Sequence, residues 1–204
     1  MRISLLRHGK TQVDGIYRGH SDVALTPHGL AQMQQAYDGF STPVDYLVSS
    51  HLQRCAHFSE QIPPTHKLDE RFQEMSFGDW DGKLRAEIWR TQQAAVTAFW
   101  DNPMQGSAPN GESVEQVQTR AMAALHEHVK SALAQQCKHL LVVTHGGVIR
   151  AILGSILHMQ PKGLFNLAVP YGGVANLNVA CFNNKHGEHD YHLSVDFSSA
   201  QDML

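Results

Sequence analysis

Histidine and arginine side chains follow three short apolar runs of this sequence. The runs lead into Arg7-His8-Gly9, into Ser49-Ser50-His51 with Arg54 one helical turn later, and into Thr144-His145-Gly146-Gly147. Two guanidinium groups can hold the oxygens of a phosphate through paired, charge-assisted hydrogen bonds. A neutral histidine beside that phosphate can attack phosphorus, and the glycines open a helix whose first N–H groups suit an anion. These residue types indicate an anion site with a histidine nucleophile, if the three runs end at one place.

The apolar runs have the composition of buried strands. Four of them are rich in Val, Leu and Ile with little polar alternation: residues 3–6, 44–50, 140–144 and 174–182. That pattern is typical of strands covered on both faces and predicts a parallel sheet. Residues 191–197 do alternate, and the polar break at 183–187 before them predicts an antiparallel edge strand.

Helices are expected between these strands. Apolar residues recur at helical spacing in the segments 26–37, 51–61, 84–100, 113–135 and 148–157. Thr26 with Pro27 behind it predicts a helix start, and Ser113 with Gln116 resembles a capping box. Strands that alternate with helices predict an α/β fold, a mainly parallel sheet with helices on both faces. Ligands of such a sheet bind beyond the carboxyl ends of its strands, where the histidines and arginines stand.

Composition limits the classes of function. The 204 residues include 42% hydrophobic and 17% charged side chains, so we expect one domain over residues 1–204. The net charge of −3 lacks the basic excess that favours binding to nucleic acid or an anionic membrane. No segment has the pattern of a membrane span or a signal peptide, so we expect a cytoplasmic protein.

The cysteines and a histidine repeat give no reason to expect a metal. The three cysteines are odd in number and widely spaced, which indicates neither a disulfide framework nor a zinc site. His186, His189 and His192 recur every three residues, a spacing that puts strand neighbours on opposite faces. A shared metal ion is therefore not expected there.

Four blocks of the sequence, taken in order, resemble the signature of the histidine phosphatase superfamily, also called the phosphoglycerate mutase-like family. They are Leu5-Leu6-Arg7-His8-Gly9-Lys10-Thr11, Ser49-Ser50-His51-Leu52-Gln53-Arg54-Cys55, Glu74-Met75-Ser76-Phe77-Gly78-Asp79-Trp80-Asp81-Gly82 and Val143-Thr144-His145-Gly146-Gly147. The resemblance covers nearly the whole chain. It implies the phosphoglycerate mutase-like fold, with a small helical cap inserted at about residues 84–111.

The resemblance also implies a role for each matching residue. His8 matches the phosphorylated nucleophile of the family. Arg7, Arg54 and His145 match the phosphate pocket, with His145 cationic during phosphoryl transfer. Glu74 matches the carboxyl that protonates the leaving oxygen and then activates water. No metal or other cofactor is implied.

Two carboxyl groups need a special environment under this interpretation. Because Glu74 serves as acid and base in turn, its pKa should lie near neutrality, and desolvation beside Phe77 and Trp80 would raise it. Asp14 stands where many family members have an asparagine that touches the phosphoryl group. An ionised Asp14 would repel phosphate, so it should point away, bond through a neighbour or stay protonated, and we leave it out of the pocket.

The resemblance narrows the substrate as well. Phosphoglycerate mutases run longer than this chain, which is more like the compact phosphatases of the family. The runs 17–27 and 74–80 are most similar to its α-ribazole-5′-phosphate phosphatases, which implies α-ribazole 5′-phosphate or adenosylcobalamin 5′-phosphate as a small-molecule substrate. Hydrolysis of sugar phosphates or phosphoserine and a mutase reaction stay open. So does a phospho-ligand or phosphohistidine-binding module without turnover, although His8 and Glu74 together speak against a pure binder.

The cap offers three aromatic side chains to a substrate. Trp89, Phe99 and Trp100 lie in the segment expected to cover the site, where one of them can stack on a flat base. The alternative is that all three pack within the cap. We favour that alternative, because aromatic residues at helical spacing usually belong to a core.

Overall fold

Six strands build the sheet that carries the histidines and arginines. The computed structural model describes residues 1–183 and 189–197. Its strands are β1 (Arg2–Arg7), β2 (Tyr46–Ser49), β3 (Lys67–Leu68), β4 (His139–Thr144), β5 (Val174–Asn183) and β6 (His189–Asp196). They lie in the order β3-β2-β4-β1-β5-β6. The ends of β1, β2 and β4 therefore meet at one edge of the sheet.

Strand direction divides this sheet into two parts. β3, β2, β4 and β1 pair in parallel, as their composition predicts. The expectation of a parallel strand at residues 174–182 is wrong, because β5 runs antiparallel to β1. The loop before β5 brings the chain back to the end of β1, where Arg7 N donates to Gly173 O over 2.9 Å, so β5 has to run back along β1. β6 pairs antiparallel with β5, which confirms the predicted edge strand.

Helices cover both faces of the sheet, as predicted. They are α1 (Pro27–Asp38), α2 (Gln53–Ser59), α3 (Arg85–Asp101), α4 (Val114–Ala134) and α5 (Gly146–Ile156). α1 and α2 share a hydrophobic cluster with Leu6, and α3, α4 and α5 share another with Leu5. Leu5 and Leu6 are successive residues of β1, so their side chains point to opposite faces. The mostly parallel sheet between two helix layers is the predicted α/β architecture.

The predicted helix starts are confirmed by their hydrogen bonds. Thr26 Oγ1 accepts from Gly29 N over 2.9 Å and caps α1. The side chains of Ser113 and Gln116 each accept from the other residue's backbone N–H, which is a full capping box for α4. Both caps lie where the sequence signals put them, because capping depends only on residues within one turn.

The segment expected to form a cap contains α3 and the loop that joins it to α4. α3 bends at Gln92, where the backbone leaves the helical region, and the Gln92 side chain accepts from the indole N–H of Trp80 over 2.8 Å. The bond ties α3 to the Glu74–Gly82 block of the sequence. Within the described residues, none of the helices combines the length and apolarity of a membrane span.

Candidate active site

The carboxyl edge of the sheet gathers the histidines that the sequence singles out. His8 follows β1 and His145 follows β4, the strand next to it. The centroids of the two imidazole rings are 5.2 Å apart. Arg54, in the first turn of α2, donates through Nε to His145 Nδ1 over 3.2 Å. Arg54, His145 and His8, all predicted site residues, are thus neighbours in space, with His145 in the middle.

His8 has its proton on the nitrogen that faces the backbone. The ring is only 3% exposed, and Nδ1 lies 2.8 Å from Gly9 O. A carbonyl oxygen can only accept a hydrogen bond, so Nδ1 carries the proton and Nε2 keeps a lone pair. Burial, reinforced by the charge of Arg54, holds the pKa of His8 well below its ordinary value. The imidazole is therefore neutral, the form that a nucleophile needs.

Arg54 and His145 form a fully buried pair behind His8. The Arg54 guanidinium also donates through Nη1 to Ser21 O over 2.9 Å and through Nη2 to Gly19 O over 2.7 Å. Since His145 Nδ1 accepts from Arg54, its proton sits on Nε2, which donates to Ser50 Oγ over 2.8 Å. Burial and the neighbouring Arg54 lower the pKa of His145 well below its ordinary value, so the ring is neutral without a ligand.

The prediction that His145 is cationic refers to the site with a bound phosphate, not to the ligand-free site. A bound phosphate dianion is an opposite charge at close range, and such a charge raises the pKa of a histidine. The cationic form during transfer therefore stays a prediction, whereas the ligand-free protein holds a neutral ring.

A carboxylate that sequence reasoning did not single out organises the loop around Arg54. Asp81 accepts from the backbone N–H groups of Gly19, His20 and Ser21 over 3.0, 2.6 and 2.9 Å, and from Ser21 Oγ over 2.8 Å. Gly19 and Ser21 are the residues whose carbonyls hold Arg54. Asp81 therefore positions the Arg54 guanidinium through the loop of residues 19–21. The only sequence signal for this role was the place of Asp81 in the Glu74–Gly82 block.

Arg7 reaches the same space from β1. Its guanidinium carbon lies 4.2 Å from the centre of the Tyr171 ring, and Nη1 donates to Val169 O over 2.5 Å. Arg7 Nε is buried and has no hydrogen-bond partner among the residues that the structure describes. A buried N–H without a partner is costly, so an anion that accepts from it is strongly favoured.

Glu74 lies against the start of α5. Its carboxylate accepts from Met75 N over 3.0 Å and from Gly147 N over 3.2 Å. A Cβ atom at position 147 would lie only 2.3 Å from Glu74 Oε1, so glycine is what allows this approach. At the predicted anion-binding residue Gly146, a Cβ atom would lie 3.1 Å from Arg7 Nε, which puts the helix start beside that unpaired N–H.

A cavity of about 320 Å³ adjoins this site and is lined by both cationic and aromatic side chains, whereas Arg54 and His145 are fully buried and do not line it. Besides Arg7, His8, Glu74 and Gly147, the wall includes three arginines that sequence reasoning did not assign: Arg18, Arg85 and Arg150. Of the three cap aromatics, Phe99 and Trp100 line the cavity together with Phe165, whereas Trp89 is 49% exposed outside it. Phe99 is buried and packs on Trp80 and Trp100, so packing within the cap and contact with a substrate both stay predictions for these side chains.

Asp14, which the sequence analysis leaves out of the phosphate pocket, lies on the wall of the wider cavity. Its carboxylate is 3.6 Å from Lys10 Nζ and 3.9 Å from Arg18 Nη2. Bonding through a neighbour was one of the three options left open for this residue. The two cations offset the repulsion that its charge would exert on a bound anion.

The described residues hold no group of three or more His, Cys, Asp or Glu side chains that could bind a metal ion. His186 and the side chain of His189 lie outside the described part of the chain. Cys55, Cys137 and Cys181 are free thiols. Burial raises the pKa of the Cys55 thiol, which lies 3.6 Å from His145 Nε2, so this sulfur stays protonated and unreactive.

Comparison with known proteins agrees with this geometry. The sequence profile of the histidine phosphatase superfamily (branch 1) matches residues 3–190. The putative phosphoserine phosphatase 2 of Hydrogenobacter thermophilus is 30% identical over 188 residues, 87% of this chain and 89% of that protein. The adenosylcobalamin/alpha-ribazole phosphatase of Salmonella typhimurium is 30% identical over 181 residues, 84% of this chain and 87% of that protein.

A solved structure has the same fold. The native mycobacterial glucosyl-3-phosphoglycerate phosphatase superposes with a TM-score of 0.82 over 97% of this chain and 98% of that chain, at 23% identity. Profile, relatives and fold thus agree with the histidines and arginines at the carboxyl edge of the sheet. This chain therefore belongs to the histidine phosphatase superfamily (branch 1) and is a phosphatase.

Proposed function

We propose that the chain hydrolyses phosphomonoesters through a phosphohistidine on His8. The observation that carries this proposal is the hydrogen bond from His8 Nδ1 to Gly9 O, 2.8 Å long, which leaves a lone pair on Nε2 of a neutral ring. Nε2 attacks phosphorus, the N–P bond forms, and the bond from phosphorus to the ester oxygen breaks. The ester oxygen leaves with a proton from Glu74.

The second half of the reaction returns the enzyme to its first state. Water attacks phosphorus, the N–P bond breaks, and the Glu74 carboxylate takes the proton of the attacking water. Inorganic phosphate leaves, and His8 regains its lone pair while Glu74 is again protonated. The contacts of Glu74 with Gly147 N and Met75 N hold the carboxyl at the start of α5 for both steps.

Arg7, Arg54, His145 and the start of α5 supply positive potential to the phosphoryl oxygens in both steps. Arg7 Nε is a buried donor without a partner, which a phosphoryl oxygen satisfies. Arg54 stays charged and is held by two carbonyls, so it keeps its position while charge develops on the oxygens. We propose that His145 gains its proton when the phosphate dianion binds.

The finer proposal concerns the leaving group. α-Ribazole 5′-phosphate, or adenosylcobalamin 5′-phosphate, is the candidate that the Salmonella typhimurium relative suggests by its name. Support comes from the aromatic side chains of the cavity wall, where Trp100 and Phe165 pack edge to face with centroids 4.6 Å apart. An aromatic corner of this kind suits a flat base on the phosphorylated sugar.

A second substrate class is favoured by a different observation. Arg18, Arg85 and Arg150 line the cavity, although one phosphoryl group already has Arg7 and Arg54. The surplus of positive charge suits an ester whose leaving group is itself acidic, such as phosphoserine or a phosphoglycerate. The Hydrogenobacter thermophilus relative carries the name of a phosphoserine phosphatase.

The intermediate is tested with p-nitrophenyl phosphate and two substitutions. We expect His8→Ala to abolish turnover and the acid-labile, base-stable phosphoprotein that the wild type forms. Glu74→Gln should still release one equivalent of p-nitrophenolate in a burst, because this leaving group needs no proton, and should then stall as the phosphoenzyme. His28→Ala, an exposed histidine of α1, is the matched control and should keep wild-type turnover.

The outcome that would sink the mechanism is undiminished turnover by the folded His8→Ala protein. The leaving group is tested by kcat/KM on a panel with α-ribazole 5′-phosphate, sugar phosphates, phosphoserine and 3-phosphoglycerate. A preference for simple sugar phosphates by orders of magnitude would refute the ribazole proposal and leave the phosphohistidine untouched. Isomerisation of 3-phosphoglycerate without phosphate release would point to a mutase instead.

A further inference from the structure

Only two buried side-chain nitrogen or oxygen atoms in the described part of the chain lack a hydrogen-bond partner, and both are arginine Nε atoms of the same cavity. They belong to Arg7 and Arg18. A buried unpaired donor destabilises the free protein, and an acceptor brought by a ligand removes that cost. The cavity thus offers two open cationic positions, and the phosphoryl group of a substrate needs one of them.

Tyr171 separates the two guanidinium groups. Arg7 lies over the face of the Tyr171 ring, 4.2 Å from its centre, and Arg18 Nη1 donates to the hydroxyl at the far end of the ring over 3.2 Å. His8 is a neighbour of that ring as well, with centroids 5.7 Å apart. Arg7 and His8 therefore both adjoin the Tyr171 ring, whereas Arg18 is held at its hydroxyl.

The surroundings of Arg18 hold the guanidinium in place but leave its Nε–H free to bind a ligand. Its side chain is 10% exposed, and among the described residues its carboxylate contact is Asp14, 3.9 Å away with a side chain that is 59% exposed. An ion pair with so exposed a carboxylate is weak and easily exchanged for another. Arg85 and Arg150 stand on the same wall, so the positive potential continues beyond the phosphoryl position.

We propose that Arg18 is a second anion subsite, which binds a carboxylate or further phosphate carried by the leaving group of the ester. The inference rests on the proposed phosphomonoesterase function and favours the second of its two substrate classes, esters of acidic alcohols, over α-ribazole 5′-phosphate. An ester with a neutral leaving group, α-ribazole 5′-phosphate among them, gains nothing from this subsite. Asp14 then acts as the resident counter-ion that the substrate's anion replaces.

Pairs of esters that differ by one carboxylate test the subsite. O-Phosphoserine and O-phosphoethanolamine form one pair, and 3-phosphoglycerate and glycerol 3-phosphate form another. We expect the wild type to favour the acidic member by about ten- to a hundredfold in kcat/KM for phosphate release, the range of a charge-assisted hydrogen bond. Arg18→Gln should bring that ratio close to one, and Arg18→Lys, which keeps the charge, should retain part of it.

Arg90→Gln is the matched control. Arg90 is an exposed arginine of α3 that lies outside the cavity wall, so its loss changes the net charge equally and should leave the ratio at the wild-type value. Thermal unfolding of each variant checks that the ratios describe folded protein. If Arg18→Gln proves unfolded, Arg18→Lys and the wild-type ratio still decide the question.

Three results would overturn the inference. The first is a wild-type ratio near one, and the second is a ratio that survives Arg18→Gln. The third is an equal loss for both members of a pair, which would assign Arg18 to the phosphoryl group itself. These results are distinct from a failure of the proposed function, in which the wild type would release no phosphate from any of the four esters or from p-nitrophenyl phosphate.

Discussion

Strand β4 has a buried histidine at each end, and the two rings hold their protons on opposite nitrogens. At the amino end, His139 Nδ1 lies 2.8 Å from Thr42 O and so carries the proton, while Nε2 lies 2.9 Å from Ser4 Oγ. Just past the carboxyl end, His145 Nδ1 accepts from Arg54, and Nε2 donates to Ser50 Oγ. Both rings are fully buried, and burial lowers the pKa of both.

The difference lies in what each ring can still contact. The His139 ring lies against Thr42 O and Ser4 Oγ, and the Ser4 hydroxyl donates to Asn176 Oδ1 over 2.8 Å. That end of the sheet is therefore a closed hydrogen-bond network. His145 adjoins Arg54 and His8, and His8 faces the cavity. Burial and a shifted pKa are therefore no sign of chemistry by themselves. What distinguishes His145 from His139 is its position at the carboxyl ends of the strands, next to guanidinium groups.

Substituting His145 and His139 in turn should give the largest effects, one on activity and the other on stability. We expect His145→Asn to lower kcat/KM for p-nitrophenyl phosphate by about 10²–10³-fold, because the imidazole that lies between Arg54 and His8 is lost. His139→Asn should instead lower the free energy of unfolding by about 2 kcal/mol, because a buried network is broken, with kcat/KM of the folded protein unchanged. Urea unfolding and steady-state kinetics on both variants measure this. Equal loss of activity in the two variants would refute the contrast.

Gly147→Ala tests the carboxyl edge without touching a polar side chain. The new Cβ would lie 2.3 Å from Glu74 Oε1, and the carboxylate, at the end of a flexible side chain, has to move. We expect a drop in kcat of about a hundredfold with little change in stability, since a misplaced catalytic group costs rate rather than folding.

The matched control for this substitution is Gly39→Ala. Gly39 ends α1, and a Cβ there meets its nearest atom at 3.4 Å, an ordinary contact. The kcat of Gly39→Ala should stay within twofold of the wild type, because a substitution away from the site that causes no clash has little effect on the fold. Wild-type kcat in Gly147→Ala would show that the contact between Glu74 and Gly147 has no part in turnover.

The two serines that bond these rings allow a finer comparison. Ser50→Ala removes the acceptor of His145 Nε2 and should lower kcat/KM about tenfold, the effect of one hydrogen bond in the transition state. Ser4→Ala removes the hydroxyl that lies 2.9 Å from His139 Nε2 and donates to Asn176 Oδ1, and should destabilise the fold by about 1–2 kcal/mol without changing kcat/KM. Activity loss in Ser4→Ala at full folding would mean that the amino end of β4 communicates with the site.

Acid should weaken the fold gradually, through the buried histidines. Because the pKa of folded His139 lies below the ordinary value of 6.5, the unfolded chain binds the proton first as the pH falls. Stability therefore decreases below about pH 6.5, by up to about 1.4 kcal/mol per pH unit for each such histidine. His139→Asn should reduce this slope, whereas the exposed control His28→Asn should not. Urea midpoints between pH 7.5 and 5.5 measure it, and an unchanged slope in His139→Asn would contradict the assignment.

The sequence by itself determined the helices, every strand except the two-residue β3, and the candidate catalytic residues. The strand and helix periods, the caps at Thr26 and Ser113, and the pairing of Arg7 with His8 are all patterns within a few residues of the chain. Such patterns depend on local geometry, which the amino-acid types dictate. The one misjudged strand direction, that of β5, depends on where the preceding loop returns the chain.

The tertiary structure alone decided which ring nitrogen carries each proton and which arginines reach the cavity. The bond from Arg54 to His145 spans 91 positions, that from Gly19 to Asp81 spans 62, and that from Arg18 to Tyr171 spans 153. Contacts over such distances depend on how the strands are ordered in the sheet, so no local pattern announces them. A histidine at either end of β4 is the same residue in the sequence, and only its neighbours in space make one of them part of the site.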